Sequence, residues 1–377
     1  MSSTLSRRSF AGTLGLAAGA ALIESPFGRV AEAAGRMPRP AGGILLNSNE
    51  NPYGPSPTAL EAYVQAGQVA SRYPDILEDE MRAAIAKLHG VTVDQVVLGC
   101  GSSEILRMAD AAFAGPGRRV VAAEPTFEAV LLYARAIRAE SAKVPLTADF
   151  RHDLPRMAAA AAKEVGLVYV CNPNNPTGTI VTGEELSAFV ASVPPSVTVL
   201  VDEAYHHFVE DPRYRSAVEL FGKAPNVVVA RTFSKIYGMA GLRLGYAVGF
   251  APKIAEMARF ASFSNANAAV LPAALASLAE GDLVPRQRKR MNDTRRELVA
   301  EMARQGRRTI PSEANFVMID VGGDVAPVIA AFREKNIFVG RRFPSLPNWL
   351  RVTIGKPDEM RAFTAALAEI VPAKAAA

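Results

Sequence analysis

The chain has 377 residues, 49% hydrophobic and 21% charged, with a net charge of +5. That balance excludes a disordered polymer and leaves room for about two packed domains. The basic excess is thin: its densest stretch, Arg286 to Arg290 with Arg295 and Arg296, is interleaved with Asp293 and Glu297 and reads as a solvated helix face, not a nucleic-acid footprint. At the N-terminus, Ser6-Arg7-Arg8-Ser9-Phe10 precedes an apolar run from Ala11 to Ile23, and Ala31-Glu32-Ala33 offers small residues for cleavage. This pattern reads as a twin-arginine export signal over residues 1–33, which places the mature protein in the periplasm. The alternative is an uncleaved N-terminal extension on a cytoplasmic protein. The apolar run falls short of the roughly 20 residues that span a bilayer, so no stable membrane span is expected.

Beyond a Pro/Gly-rich linker (Gly35 to Gly43), strand-like and helix-like segments alternate. Leu77, Met81, Ile85 and Leu88 recur at helical spacing, and Gly90 stops that helix. Val96 to Leu98 reads as a strand, Ser102 to Phe113 as a helix, Arg119 to Ala123 as a strand and Phe127 to Arg138 as a helix. Leu167 to Val170 is a strand, and Thr182 with Glu185 forms a capping box for the helix that follows. Val197 to Val201, Asn226 to Ala230 and Arg243 to Val248 are further strands. From about Ala268 a long helical stretch leads into Phe316 to Val321, a helix over Val325 to Lys335, Trp349 to Ile354 and a terminal helix ending at Ile370. Short β-branched runs alternating with helices predict an α/β fold whose largely parallel sheet is covered on both faces. Ligands of such sheets bind at the carboxyl ends of the strands.

Every chemically suggestive motif falls at such an end. Lys235 sits just past the strand Val227 to Ala230, with Thr232 and Ser234 before it and Arg243 after it. A lysine at the mouth of a buried sheet suits Schiff-base chemistry, in which a desolvated amine bonds to a carbonyl cofactor. Thr232, Ser234 and Arg243 would then hold that cofactor's phosphate. The turn Gly99-Cys100-Gly101-Ser102-Ser103-Glu104 opens a helix, where free N–H groups favour a phosphate; a plain tight turn reads equally well. Phe127 either lies against a planar heteroaromatic ring or belongs to the core. In Cys171-Asn172-Pro173-Asn174-Asn175-Pro176-Thr177-Gly178, two prolines and three asparagines end a strand and fix the Asn175 amide toward a ligand hydroxyl. Asp202, ahead of Glu203-Ala204-Tyr205, is an acid at the end of an apolar strand and needs a cationic partner, which a protonated pyridine nitrogen would supply. Cys100 and Cys171 read as reduced packing residues and His89 and His152 as surface residues, and His206-His207 lack the neighbours a metal site requires.

Together these pieces resemble the pyridoxal-phosphate site of the class I/II aminotransferases of fold type I, and most closely the histidinol-phosphate aminotransferases. The resemblance runs from about Ile44 to Val371. It also rests on Asn49-Glu50-Asn51-Pro52-Tyr53-Gly54-Pro55, Arg72-Tyr73-Pro74-Asp75 and Leu350-Arg351-Val352-Thr353-Ile354-Gly355. It implies an N-terminal arm over 34–60, a large domain over 61–267 with a mostly parallel seven-stranded sheet, and a smaller α+β domain over 268–377. It implies pyridoxal 5'-phosphate as cofactor, with Lys235 as the catalytic amine and proton shuttle. Asp202 would hold the pyridine nitrogen, Asn175 and Tyr205 the ring 3-oxygen, and Phe127 the ring face. Ser102, Ser103, Thr232, Ser234 and Arg243 would hold the phosphate. Tyr73 would reach a partner's cofactor in a homodimer. Tyr53, Asn175, Arg351 and Arg341 would face the substrates, an amino donor and a 2-oxo acid.

The chain departs from the histidinol-phosphate pattern at three places. Ser103-Glu104 stands for an Asp-Glu pair, Phe127 for a tyrosine, and Arg341 and Arg342 lie closer to Arg351 than the family's upstream arginine does. Specificity for aromatic or aliphatic amino acids, a related decarboxylase, and a cofactor-binding sensor without turnover are the competing readings.

Overall fold

The computed structural model describes residues 42–161 and 164–372, which lie in one compact unit. The export signal expected over 1–33 and the first residues of the arm fall outside the described residues. Strand β1 (Ile44–Leu46) comes first, followed by helix Pro57–Gln65 and helix Asp75–His89. Gly90 ends the latter in the left-handed region (φ 64), its N–H closing on the carbonyls of Ala86 and Lys87. Met81 and Ile85 are buried as their spacing predicts, whereas Leu88 is exposed.

The central sheet comprises β2 (Val96–Gly99), β3 (Arg119–Glu124), β4 (Ser141–Pro145), β5 (Val165–Cys171), β6 (Thr198–Asp202), β7 (Val227–Thr232) and β8 (Gly245–Gly249). Its order is β2-β8-β7-β6-β5-β3-β4, parallel throughout except that β8 runs antiparallel to both neighbours. Successive side chains leave opposite faces, so Leu200 of β6 joins one core with Leu167 and Val228, while Val199 and Val201 join another with Val168 and Val229. Burial on both faces explains why these strands read as continuous apolar runs. The edge strand β4, with Lys143 and Pro145 on it, has no such run and was not foreseen.

The expected long helix after Ala268 is two helices, Val270–Ala279 and Leu283–Arg304, separated by Glu280-Gly281-Asp282. Arg286 pairs with Glu280 and Asp282, and Lys289 with Asp293, on the solvated face. The reading of the whole basic run as solvated is corrected at Gln287 and Arg295, which are buried. The Arg295 Nη1 donates to the Ala314 carbonyl at 2.9 Å. Strands β9 (Thr309–Ile310), β10 (Phe316–Asp320) and β12 (Trp349–Thr353) form an antiparallel sheet in the order β12-β10-β9. Helices Val325–Glu334 and Pro357–Ile370 meet through the stacked rings of Phe332 and Phe363. Between them in sequence, β11 (Ile337–Val339) pairs in parallel with β1, tying the start of the described chain to its C-terminal part.

Candidate active site

The carboxyl ends of β5, β6 and β7 bring Asn175, Asp202 and Lys235 together. Asp202 is 2% exposed, and its Oδ2 accepts from the Tyr169 hydroxyl at 2.8 Å and its Oδ1 from the Ala204 N–H at 3.0 Å. Burial nevertheless pushes its carboxyl up to about 6. Its bonding partners are neutral, so the site suits a cation placed against it. The Lys235 Nζ donates to the Asn49 carbonyl at 2.9 Å and stands 5.5 Å from the centre of the Tyr205 ring. Burial and then the nearby Arg351 guanidinium pull its amine down to about 8, so a usable fraction is uncharged near neutral pH. The Tyr205 hydroxyl accepts from Asn49 Nδ2 at 3.0 Å.

The second convergence is a cradle around Arg243. This residue sits in the left-handed region (φ 63), an uncommon conformation for a side chain of its size, and its Nη1 donates to the Ala240 carbonyl at 2.9 Å. Gly101 lets it enter: a Cβ there would lie 2.1 Å from Arg243 Nη2. The guanidinium thus meets the turn that opens helix Ser102–Phe113, where helix N–H groups face outward. Ser234 lies 3.4 Å from Arg243 Nη1, and Thr232 Oγ1 is 2.9 Å from Ser234 Oγ. A guanidinium, a serine hydroxyl and a helix N-terminus fit a phosphate group. Glu104 steadies the turn by accepting from the Cys100 N–H at 2.7 Å.

A third group lies on the substrate side. Arg351 on β12 donates from Nη1 to Asn175 Oδ1 at 2.7 Å and from Nη2 to the Asn47 carbonyl at 2.8 Å, while its Nε is buried without a partner. Arg341 and Arg351 place their guanidiniums 4.3 and 5.3 Å from the Phe343 ring centre. Arg342 instead points to Asp324, pairing at 2.7 Å, so Arg341 is the member of that pair beside Arg351. Arg341 is itself held by Glu128 at 2.6 Å. The Tyr53 ring is covered by the Arg290 guanidinium at 3.7 Å.

Phe127 is half-buried against the core that contains Tyr169 and Cys171. Ser103 is half-buried in the first turn of its helix, next to Ser102. Tyr73 does not join this site; it is 82% exposed. Three expectations are corrected. Cys171 is a buried packing residue, but Cys100 is exposed, because the turn that carries it projects from the strand end. His152 is buried at 6% exposure and His89 half-buried, its Nε2 3.0 Å from the Tyr246 hydroxyl. Sequence reasoning missed Tyr169, Glu128 and Phe343, and it placed Asn49 in a matching motif without giving it a role. A signal existed for Tyr169: it is the one hydroxyl in the apolar run of β5, two residues before Cys171, which pairs with Asp202. Among the described residues no group of three His, Cys, Asp or Glu is arranged to hold a metal ion.

An amine held near pH 8, a buried acid suited to a pyridine nitrogen and a phosphate cradle, all at the strand ends of this sheet, define a pyridoxal-phosphate-dependent enzyme of fold type I. The family model for aminotransferase class I and II matches residues 41–367. The chain belongs to that family, and it is a transaminase. A histidinol-phosphate aminotransferase of Symbiobacterium thermophilum is 41% identical over 86% of this chain and 89% of that protein. An aromatic amino acid aminotransferase of Thermobifida fusca is 40% identical over 84% of this chain and 88% of its own length. The crystal structure of histidinol-phosphate aminotransferase from Sinorhizobium meliloti in complex with pyridoxal-5'-phosphate superposes with a TM-score of 0.83 at 25% identity, covering 98% of each chain.

Proposed function

We propose that this transaminase takes histidinol phosphate as its amino donor and passes the amino group to a 2-oxo acid. The observation that carries the reading is that Arg341 and Arg351 both approach the Phe343 ring, two guanidiniums suited to substrates with a distal anion. Relatives named for that reaction, at about two-fifths identity, support it.

Pyridoxal phosphate, when bound, supplies a carbonyl that captures the amine and a ring that accepts electrons from the donor's α-carbon. The protein's part is to bind, orient and move protons. Arg243, Ser234, Thr232 and the turn at Ser102 and Ser103 would hold the phosphate, with Phe127 against the ring. Asp202 would keep a proton on the pyridine nitrogen, and Asn175 and Tyr205 would fix the ring oxygen. Lys235 Nζ, uncharged often enough to act as a base, would carry the proton away from the α-carbon. Arg351, already oriented by Asn175 and Asn47, would align the substrate.

The enzyme works as a homodimer in this reading, with Tyr73 serving the partner's cofactor; its exposure, with that of Val64, Ile76 and Phe263, supports an interface. Residues 1–33 direct export to the periplasm, a reading supported by Arg7-Arg8 and the apolar run after them.

A second reading, donation by aromatic amino acids, is favoured by the relatives of that name and by the apolar Phe343 ring on the substrate side. Half-reaction spectra with histidinol phosphate, phenylalanine, leucine and glutamate decide between them. The expected outcome is the fastest conversion to the pyridoxamine form with histidinol phosphate. An inert phosphate ester beside reactive phenylalanine would establish the second reading.

A further inference from the structure

The substrate side contains a carboxylate that the reaction itself does not call for. Glu128 follows Phe127, the residue placed against the cofactor ring, and its Oε2 is 2.6 Å from Arg341 Nη2. A second Arg341 donor, Nη1, goes to the Arg342 carbonyl at 3.2 Å. Arg341 is therefore engaged from two sides before any substrate arrives, and Glu128 also lies close enough to act on the Arg351 charge. Arg351 differs: its partners are Asn175 and a backbone carbonyl, both neutral, so its charge stays available to an anion. The two guanidiniums that share Phe343 are thus unequal: Arg341 is in direct contact with a carboxylate, and Arg351 is hydrogen-bonded to neutral groups.

The segment bearing Arg341 is also fastened to the sheet nearby, where Ser345 Oγ donates to Glu124 Oε1 at 2.9 Å. This second tie holds the 341–345 segment in place when the Glu128 contact opens. An anion entering beside Phe343 then meets a guanidinium whose position is fixed but whose counter-ion must be displaced.

We propose that Glu128 sets the selectivity between substrates with and without a distal anion, as the counter-ion that such an anion must displace from Arg341. The proposal rests on the reading of Arg341 as substrate-facing, and it makes Glu128 a positioning residue. A distal phosphate or carboxylate takes over the Arg341 fork and releases Glu128 toward water, which its partial exposure allows. A substrate with a neutral distal group leaves the ion pair closed and binds against Phe343. One site thereby accommodates both classes, with the ion pair discriminating against weakly charged distal groups.

Glutamate and glutamine, isosteres that differ in distal charge, test this as donors for the holoenzyme, with Glu128→Gln, Arg341→Gln and the double variant. Glu128→Gln is expected to raise the glutamate-to-glutamine ratio of kcat/KM about fivefold, mainly through KM, as suits a half-exposed ion pair. In the Arg341→Gln background the same change is expected to leave the ratio where it was. An unaltered ratio in Glu128→Gln, or an equal rise in both backgrounds, would overturn the proposal. The ratio cancels the fraction of active protein, and Glu128→Ser gives a second reading of it should the first variant fold poorly. Histidinol phosphate and histidinol, run on the same proteins, separate this idea from the donor assignment. If histidinol phosphate is inert while the glutamate ratio shifts, the donor assignment fails and the Glu128 role stands. If histidinol phosphate is consumed while no ratio shifts, the Glu128 role fails alone.

Discussion

At the cofactor end of the cleft, Asp202 and Lys235 sit at or just beyond the ends of central strands, and their partners, Tyr169 on β5 and the Asn49 carbonyl, belong to packed structure. At the substrate end, Arg341, Arg342 and Phe343 lie in the loop after β11, and Glu128 at the start of a short helix, with the Arg341–Glu128 pair half-exposed. The first region is preorganised: its charges are set by burial and its hydrogen bonds are already made. The second is held by ion pairs that water screens and a ligand is able to exchange. The lesson is a division of labour, in which the chemistry is built into the sheet and the choice of substrate into what is laid across it.

Breaking the cofactor end should have the largest effect. Lys235→Ala removes the proton carrier and is expected to lower kcat for every donor by about 10⁴-fold, measured in single-turnover half-reactions. An equal loss across donors would mark this region as indifferent to substrate identity, in contrast to the donor-dependent changes expected at Glu128.

Next in size is a stability effect in the last turn of the helix that the phosphate turn opens. Asp110 is wholly buried in helix Ser102–Phe113, neither oxygen has a hydrogen-bond partner, and burial pushes its carboxyl up to about 9. The folded protein therefore keeps a proton that the unfolded chain releases, and this contribution to stability falls as pH rises from about 4 toward about 9. Asp110→Asn should flatten the dependence. Between about pH 5 and about pH 8 the wild-type Tm is expected to drop by roughly 5–10 °C more than that of the variant, by thermal denaturation.

The smallest effect sharpens the picture of Asp202. Tyr169→Phe deletes one hydrogen bond to that carboxylate and should weaken pyridoxal phosphate retention about tenfold, measured by dialysis and absorbance, with donor preference unaltered. A change in donor preference would show that the two ends are coupled.

Most of the central sheet was legible in the sequence because strands buried on both faces have no alternative to apolar residues. Val165–Cys171 and Thr198–Asp202 announce themselves this way. Strand β4 does not: Ser141, Lys143 and Pro145 are exposed on it, and its pairing with β3 is decided by tertiary context. The three-residue strands β1 and β11 are too short for a period to register. The cofactor end was legible for the same reason as the sheet, since polar residues after apolar runs stand out. Asn49 was hidden in its role because its left-handed backbone (φ 54) and its contact with Tyr205, far along the chain, are products of folding. Nothing in the local sequence singles out Glu128 or Phe343. The meaning of Glu128 lies in its pairing with Arg341, more than two hundred positions along the chain, and that of Phe343 in the two guanidiniums folded over its ring, which no local pattern encodes.

The pairing of β2 with β8 has a consequence in time. β2 lies at the edge of the central sheet, and β8 is its one neighbour there. On a ribosome adding about 5–20 residues each second, the strand Val96–Gly99 therefore waits roughly 7–30 seconds before Gly245–Gly249 exists to receive it. During that interval the nascent chain carries an unpaired Val-Val-Leu edge directly ahead of the turn that will later meet Arg243. The Arg243 side of the phosphate cradle, which lies just before Gly245–Gly249 in sequence, is made at the end of the same interval.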